Sequence, residues 1–123
     1  MDDDRVWAFE KSLWQGDGDV YRKGIDPEAR MALPEPPFIF SGAQAIEAVE
    51  STPPWSNVAF EDGTISRPQY GLIVVAYTAH AQRDGHEAYV AHCTTTYRLT
   101  DAHDWQVVQH QQTPKLVTSV ASA

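Results

Sequence analysis

Between Asn57 and Gln112 the chain alternates apolar and polar side chains at every second position, and does so in four consecutive runs. Asn57–Arg67, Gly71–Gln82, Glu87–Leu99 and Trp105–Gln112 each read as a strand, because period two places alternate side chains on opposite faces. The connections are short. Asp84-Gly85 is a type I′ hairpin signal between the second and third runs, and Thr100 to Asp104 forms the next tight link. Four long antiparallel neighbours therefore make one sheet, and a sheet of such strands curls. Its apolar face must be covered by whatever precedes Asn57.

That preceding segment is helical at both ends. Asp2, Asp3 and Asp4 offer N-cap oxygens and negative charge at the positive end of a helix dipole. Val6, Phe9 and Leu13 then recur at helical spacing, flanked by Trp7 and Trp14. Gly16-Asp17-Gly18-Asp19 breaks this helix, and a short second one over Val20 to Lys23 ends at Gly24. The stretch Ala29 to Phe40 holds Pro34, Pro36 and Pro37, which predicts an edge strand with a bulge at best, since each proline removes a ladder donor. Ser41 with Gln44 is a capping-box signature for a third helix with Ala45, Ile46, Ala48 and Val49 on its apolar side. Pro53-Pro54 stops it near Trp55.

The expected fold class is α+β: three helices from the N-terminal half packed on the concave face of a curved antiparallel or mixed sheet, leaving a cone-shaped hollow. At 123 residues the chain suits one domain, over 1–114, with a short polar tail at 115–123. A net charge of −8 argues against nucleic acid and against an anionic membrane surface as partners. Met1-Asp2-Asp3-Asp4 is unlike a signal peptide, no lipidation motif is visible, and the apolar run Leu72–Tyr77 is far short of a membrane span. The single cysteine, Cys93, cannot form an internal disulfide, so a reducing cytoplasm is the expected location. With no cationic side chain beside it except His92, Cys93 reads as an inert packed thiol.

The helices with their Gly-Asp break, the segment FIFSGAQAIEAV, the strands around Asp84-Gly85 and the closing WQVVQHQQTP resemble the nuclear transport factor two-like superfamily over roughly residues 3 to 114. The closing strand is most similar to its SnoaL-like and uncharacterised-domain branches. The resemblance implies a cone-shaped α+β barrel, a homodimer through the outer face of the sheet, and a pocket between sheet and helices. It also frames what is missing. The ketosteroid isomerases of the superfamily carry a catalytic aspartate before a proline on the first strand; here Leu33 precedes Pro34. The isomerase tyrosine of the first helix falls on Phe9, which has no hydroxyl, and the aspartate–arginine set of the epoxide hydrolases has no match.

His80, His86, His92, His103 and His110 are the main chemical resource. No pair has metal-ligand spacing, so no metal site is readable and no cofactor is implied. His86 and His103 fall at turns and read as exposed. If Asp84 and Gly85 are the two turn residues, Arg83 pairs with His86 and Tyr77 with His92. The resemblance implies that Tyr77, Val108, His110 and Gln112 face inward. Tyr77, His92, His110 and Gln112 are thus the candidate polar groups, with Trp14, Tyr21, Met31 and Phe38 as candidate walls. Core packing is the plainer alternative for the aromatics, and core or interface burial for the two histidines. Arg67, Arg83 and Arg98 could anchor an acidic ligand, although Arg83 abuts the turn and reads as solvated, and Arg98 reads as an interface ion pair. Two functions stay open. One is a homodimer binding a small apolar or aromatic molecule. The other is a cofactor-free lyase, isomerase or cyclase with His92 or His110 as base and Tyr77 as hydrogen-bond donor. A structural dimerisation module is the lesser alternative and predicts a filled cone.

Overall fold

Helix α1 (Asp3–Trp14) starts where the acidic cluster predicts, the Asp2 carboxylate accepting from the Arg5 amide at 2.9 Å. The computed structural model describes residues 1–116, so the tail expected over 115–123 lies largely outside the described residues. Helix α2 (Gly18–Gly24) is capped by Asp17, whose side chain accepts from the amides of Asp19 and Val20. Helix α3 (Gly42–Ala48) has the full capping box: Gln44 N–H donates to Ser41 Oγ at 3.1 Å and Ser41 N–H to Gln44 Oε1 at 2.7 Å. A 3₁₀ turn, Val49–Ser51, ends it ahead of Pro53-Pro54.

The strands are β1 (Ile25–Ala32), β2 (Ile39–Ser41), β3 (Asn57–Gln69), β4 (Leu72–Gln82), β5 (Tyr89–Leu99) and β6 (Trp105–Pro114). They form one sheet in the order β2-β1-β6-β5-β4-β3, antiparallel throughout except for the parallel pair β1–β6. The sheet is mixed and open, with β2 and β3 as its edges, so the cone is not a closed barrel. All three helices lie against its inner face. Val6 and Leu13 of α1, Ala45 of α3, and Ile25, Ile73, Val75 and Val107 of the sheet are buried between the layers.

Three expectations need correction. The first concerns the proline-rich stretch, which is not one edge strand. It divides into β1, an interior strand between β2 and β6, and the short edge strand β2. Pro34, Pro36 and Pro37 fall in the connection, where no ladder donor is needed. Pro27 does lie within β1, at the place where the β1–β6 register shifts between Ile25 and Arg30.

The second concerns the hairpin register. Tyr77 pairs with Cys93 and Thr78 with His92, one residue away from the expected pairing. The turn itself forms, with His86 N–H donating to Arg83 O at 3.2 Å. Only Gly85 takes a positive φ (77°), however, whereas a type I′ turn needs positive φ at both central residues. Residues 83–88 stay out of the ladder, which resumes at Ala81 opposite Tyr89. Because side chains alternate with period two, a one-residue slip reverses the facing of all of β5. Cys93, Thr95 and Tyr97 point inward, and His92 is exposed on the outer face, its Nδ1 3.0 Å from Thr78 Oγ1.

The third concerns Val108, expected to face inward, and its cause is a β-bulge. It lies in β6: Thr96 pairs with Gln109 and Tyr97 with Val107, leaving Val108 as the extra residue. Val107 is consequently the buried residue where Val108 was expected to face inward.

Candidate functional site

A cavity of about 370 Å³ opens between the end of α1, helix α3 and the inner ends of β1 and β6. Its walls come from separate elements. Trp14 closes α1, Tyr21 projects from α2 and donates to Leu13 O at 2.8 Å, and Met31 of β1 is followed by Leu33 just past the strand's end. Ala45 and Ala48 of α3, with Val49 of the 3₁₀ turn that follows, make one apolar side because their small side chains leave room. His110 and Gln112, two positions apart on β6 and so on the same face, supply polar ends. Trp55 and Arg83 form the mouth, with the Arg83 guanidinium carbon 3.8 Å from the Trp55 ring centroid. Trp55 stacks on Tyr89 (5.5 Å, 10°), and Trp14 packs on both.

Behind this cavity sits a carboxylate that the sequence reading passed over. Glu10 of α1 is completely buried. Its Oε1 accepts from Tyr77 OH at 2.5 Å and from Thr95 Oγ1, and its Oε2 from Tyr97 OH. Hydrogen counting then fixes the neighbours. The lone Thr95 hydroxyl proton goes to Glu10, so Thr95 Oγ1, 2.7 Å from His110 Nδ1, can only accept from it. His110 is therefore protonated on Nδ1, and its Nε2 lone pair accepts from Gln112 Nε2 at 3.1 Å, while Gln112 Oε1 accepts from Tyr89 OH at 3.1 Å. One directed chain runs from the aromatic mouth through Gln112, His110 and Thr95 to Glu10.

Burial holds His110 below its ordinary 6.5, against the opposing pull of the Glu10 charge, so the imidazole is neutral at pH 7. Tyr77 and Tyr97 are pushed far up by burial and then by Glu10, and act only as neutral donors. Burial raises the Cys93 thiol to about 12, which removes it from nucleophilic chemistry. The histidine has a measurable consequence. A group whose folded-state pKa is depressed contributes stability above its unfolded pKa and loses it as the pH falls through the folded value. Melting temperature is expected to fall as pH drops from 7 through the range below 6.5, with a slope from this group of at most roughly 1.4 kcal/mol per pH unit. His110→Gln should flatten that segment of the pH–Tm curve.

Of the sequence-predicted residues, Trp14, Tyr21, Met31, His110 and Gln112 line the cavity. Three do not. Phe38 is 52% exposed with φ 70°, in a connection closed by Leu33 N–H donating to Phe38 O, and Phe40 takes the wall position instead. Tyr77 faces inward but is spent on Glu10 and on the Trp14 indole N–H (2.9 Å), behind the wall rather than on it. His92 is on the opposite face of the sheet. Among the arginines, Arg67 pairs with Asp3 and Arg98 with Asp26, each at 2.8 Å within the chain. Arg83 is not a solvated turn residue: it is half-buried on Trp55. Among the described residues no three His, Cys, Asp or Glu side chains converge as metal ligands, and no helix is long and apolar enough to cross a membrane.

The helix order, the open six-stranded mixed sheet and the cavity beneath it define the nuclear transport factor two-like fold. Solved structures agree. The chain is similar to an NTF2-like protein from Cytophaga hutchinsonii (TM-score 0.74, 18% identity, 94% of this chain and 100% of that one). It is similar also to a ketosteroid isomerase candidate from Parabacteroides distasonis (0.75, 14%, covering 94% and 87%). A third likeness is to the CaMKII hub of S. rosetta (0.69, 16%, covering 88% and 89%). At these identities the likeness is one of fold. No protein-family model and no curated protein sequence matches the chain.

Proposed function

We propose that this chain is a small-molecule-binding module that holds an apolar or aromatic compound in the cavity and works as a homodimer through the outer sheet face. The observation that carries the reading is the cavity itself. Trp14 and Met31, large enough to fill the cone, stand as its walls, and a mainly apolar lining converges on a few polar groups, as ligand sites do. A purely structural module would fill the cone with these side chains, so their placement as walls supports the binding reading. Self-association draws support from the hub domain among the similar structures and from the outer face of β4–β6, where Ala76, Thr94, Thr96 and Gln109 form a half-buried surface.

The test is a ligand titration read by the fluorescence of Trp14 and Trp55. Saturable quenching by aromatic compounds is expected, and Ala48→Phe, which extends a ring into the cavity from α3, should weaken it at least roughly tenfold while leaving the melting curve cooperative. Equal quenching in wild type and Ala48→Phe would place binding elsewhere. Light scattering should give twice the chain mass; a monomer at high concentration would remove the interface.

His110 favours a second reading, acid–base chemistry without a cofactor. Its Nε2 lone pair is directed to the cavity side, and its Nδ1–H is held through Thr95 to a buried carboxylate that would stabilise the imidazolium. Gln112 covers that lone pair and would have to turn aside. If His110 is a base, exchange of the benzylic α-protons of phenylacetone in D2O is accelerated by wild type and not by His110→Gln.

A further inference from the structure

The cation at the cavity mouth has a hydrogen-bonding capacity that the fold does not use. Arg83 Nε is buried and has no hydrogen-bond partner among the described residues. Its guanidinium is in none of the ion pairs formed among them, unlike Arg22, Arg67 and Arg98. The group is nevertheless firmly placed. Trp55 covers one face of the guanidinium at 3.8 Å, and Trp55 is itself backed by Tyr89 and Trp14. The backbone beneath it is tied down as well: Ser56 N–H and Oγ both donate to Gln82 O (2.9 and 2.8 Å), and Gln82 Nε2 donates to Arg83 O and His86 O. With its face occupied by an indole, a guanidinium can still bond only in its own plane, along its edge. Nε is covered, and the Nη atoms present the remaining edge, two parallel N–H groups at the spacing of a carboxylate.

We propose that Arg83 is the anion anchor of the cavity, and that its ligand is an apolar or aromatic carboxylic acid. The acid group docks end-on against the two Nη atoms at the mouth, and the apolar body lies between Met31, Leu33 and α3, toward His110. The proposal rests on the ligand-binding reading above and adds the chemical class of the ligand. A carboxylate is favoured over a neutral acceptor because the cation has no counter-charge in contact. Glu35 also borders the cavity, but it is solvent-exposed and forms no ion pair with Arg83. Its charge is screened by water, whereas the guanidinium is half-buried on Trp55.

Matched probes separate the ideas. Phenylacetate, 4-phenylbutanoate and octanoate are titrated against wild type alongside their primary amides, with tryptophan fluorescence as the readout. The acids are expected to bind roughly tenfold to a hundredfold more tightly than the amides. Arg83→Met should erase that preference, bringing acids and amides to similar affinities, and Arg83→Lys should restore part of it, since it returns the charge without the planar edge. Both variants lose the guanidinium stack on Trp55, so melting temperature is measured in parallel and binding is compared at a temperature where each is folded. Acids and amides binding alike, or an acid preference that survives Arg83→Met, overturns the anchor and leaves the binding module standing. No saturable binding by any of the six overturns both.

Discussion

Glu10→Ala is expected to lower the unfolding free energy by roughly 3–5 kcal/mol, the largest effect of any side-chain truncation in this protein. The carboxylate is completely buried and takes three hydroxyl protons, from Tyr77, Thr95 and Tyr97. Alanine leaves all three donors without an acceptor in a place water does not reach, at roughly 1–3 kcal/mol for each that finds no substitute. It also leaves a void between α1 and the sheet, adding a packing loss. Glu10→Gln should cost less, because one amide oxygen still accepts, but the amide NH2 then faces hydroxyls that must reverse their own bonds. The network origin of the effect is tested by a double-mutant cycle. Tyr97→Phe removes the hydroxyl that Glu10→Met would strand, so the pair together should be less destabilising than the sum of the two. Strict additivity in urea melts would mean that Glu10 acts through packing alone.

How well these features could be read in advance depends on whether their cause is local. The Ser41–Gln44 capping box and the alternation that defines β3 to β6 are carried by neighbouring residues, and each forms where the sequence puts it. The register of β4 on β5 is different. It depends on the φ of Asp84, and nothing in the pair Asp-Gly excludes the turn in which only glycine is left-handed. That turn, with residues 83–88 left out of the ladder, moved His92 from the expected pocket to the outer face. His110 escaped the same error because the Val108 bulge restores the inward alternation beyond it.

Glu10 had a visible signal that was easy to discount. It occupies the stripe Val6, Glu10, Leu13, at i, i+4 and i+7 of the same helix face. A charged residue on an apolar stripe is either a mistake of phase or a buried group with partners, and the partners here lie 67 to 87 residues away. Leu33, where the resembled isomerases have their aspartate, indeed contributes only wall. The carboxylate of this cone enters from the helix side instead, two hydrogen bonds behind His110 through Thr95. Arg83 was misjudged for the reverse reason, since its turn position suggested solvent while its side chain folds back over Trp55.

The second large effect is expected at a residue without a side chain. Gly42 opens α3 at the point where the helix crosses β1, and a Cβ built there would stand 1.9 Å from Asp26 O, 2.9 Å from Asp26 C and 3.1 Å from Ile25 Cγ2. The nearest of these atoms is backbone in an interior strand, which cannot turn away as a side chain could. Gly42→Ala must therefore lift the first turn of α3 off the sheet or distort β1, at roughly 3 kcal/mol or more. Helix propensity runs the other way, favouring alanine over glycine by roughly 1 kcal/mol within a helix. The sign of the measured change therefore decides between local preference and tertiary contact. The position also links stability to the site. Ala45 and Ala48 of the same helix, with Val49 of its closing 3₁₀ turn, roof the cavity, and Met31 lies beneath them on β1. A lifted α3 widens that gap, so the variant should lose ligand affinity even under conditions where it remains folded. Ala43→Ser, on the neighbouring exposed position, should change neither property, and a Gly42→Ala protein that melts at or above wild type would refute the close approach of α3 to β1.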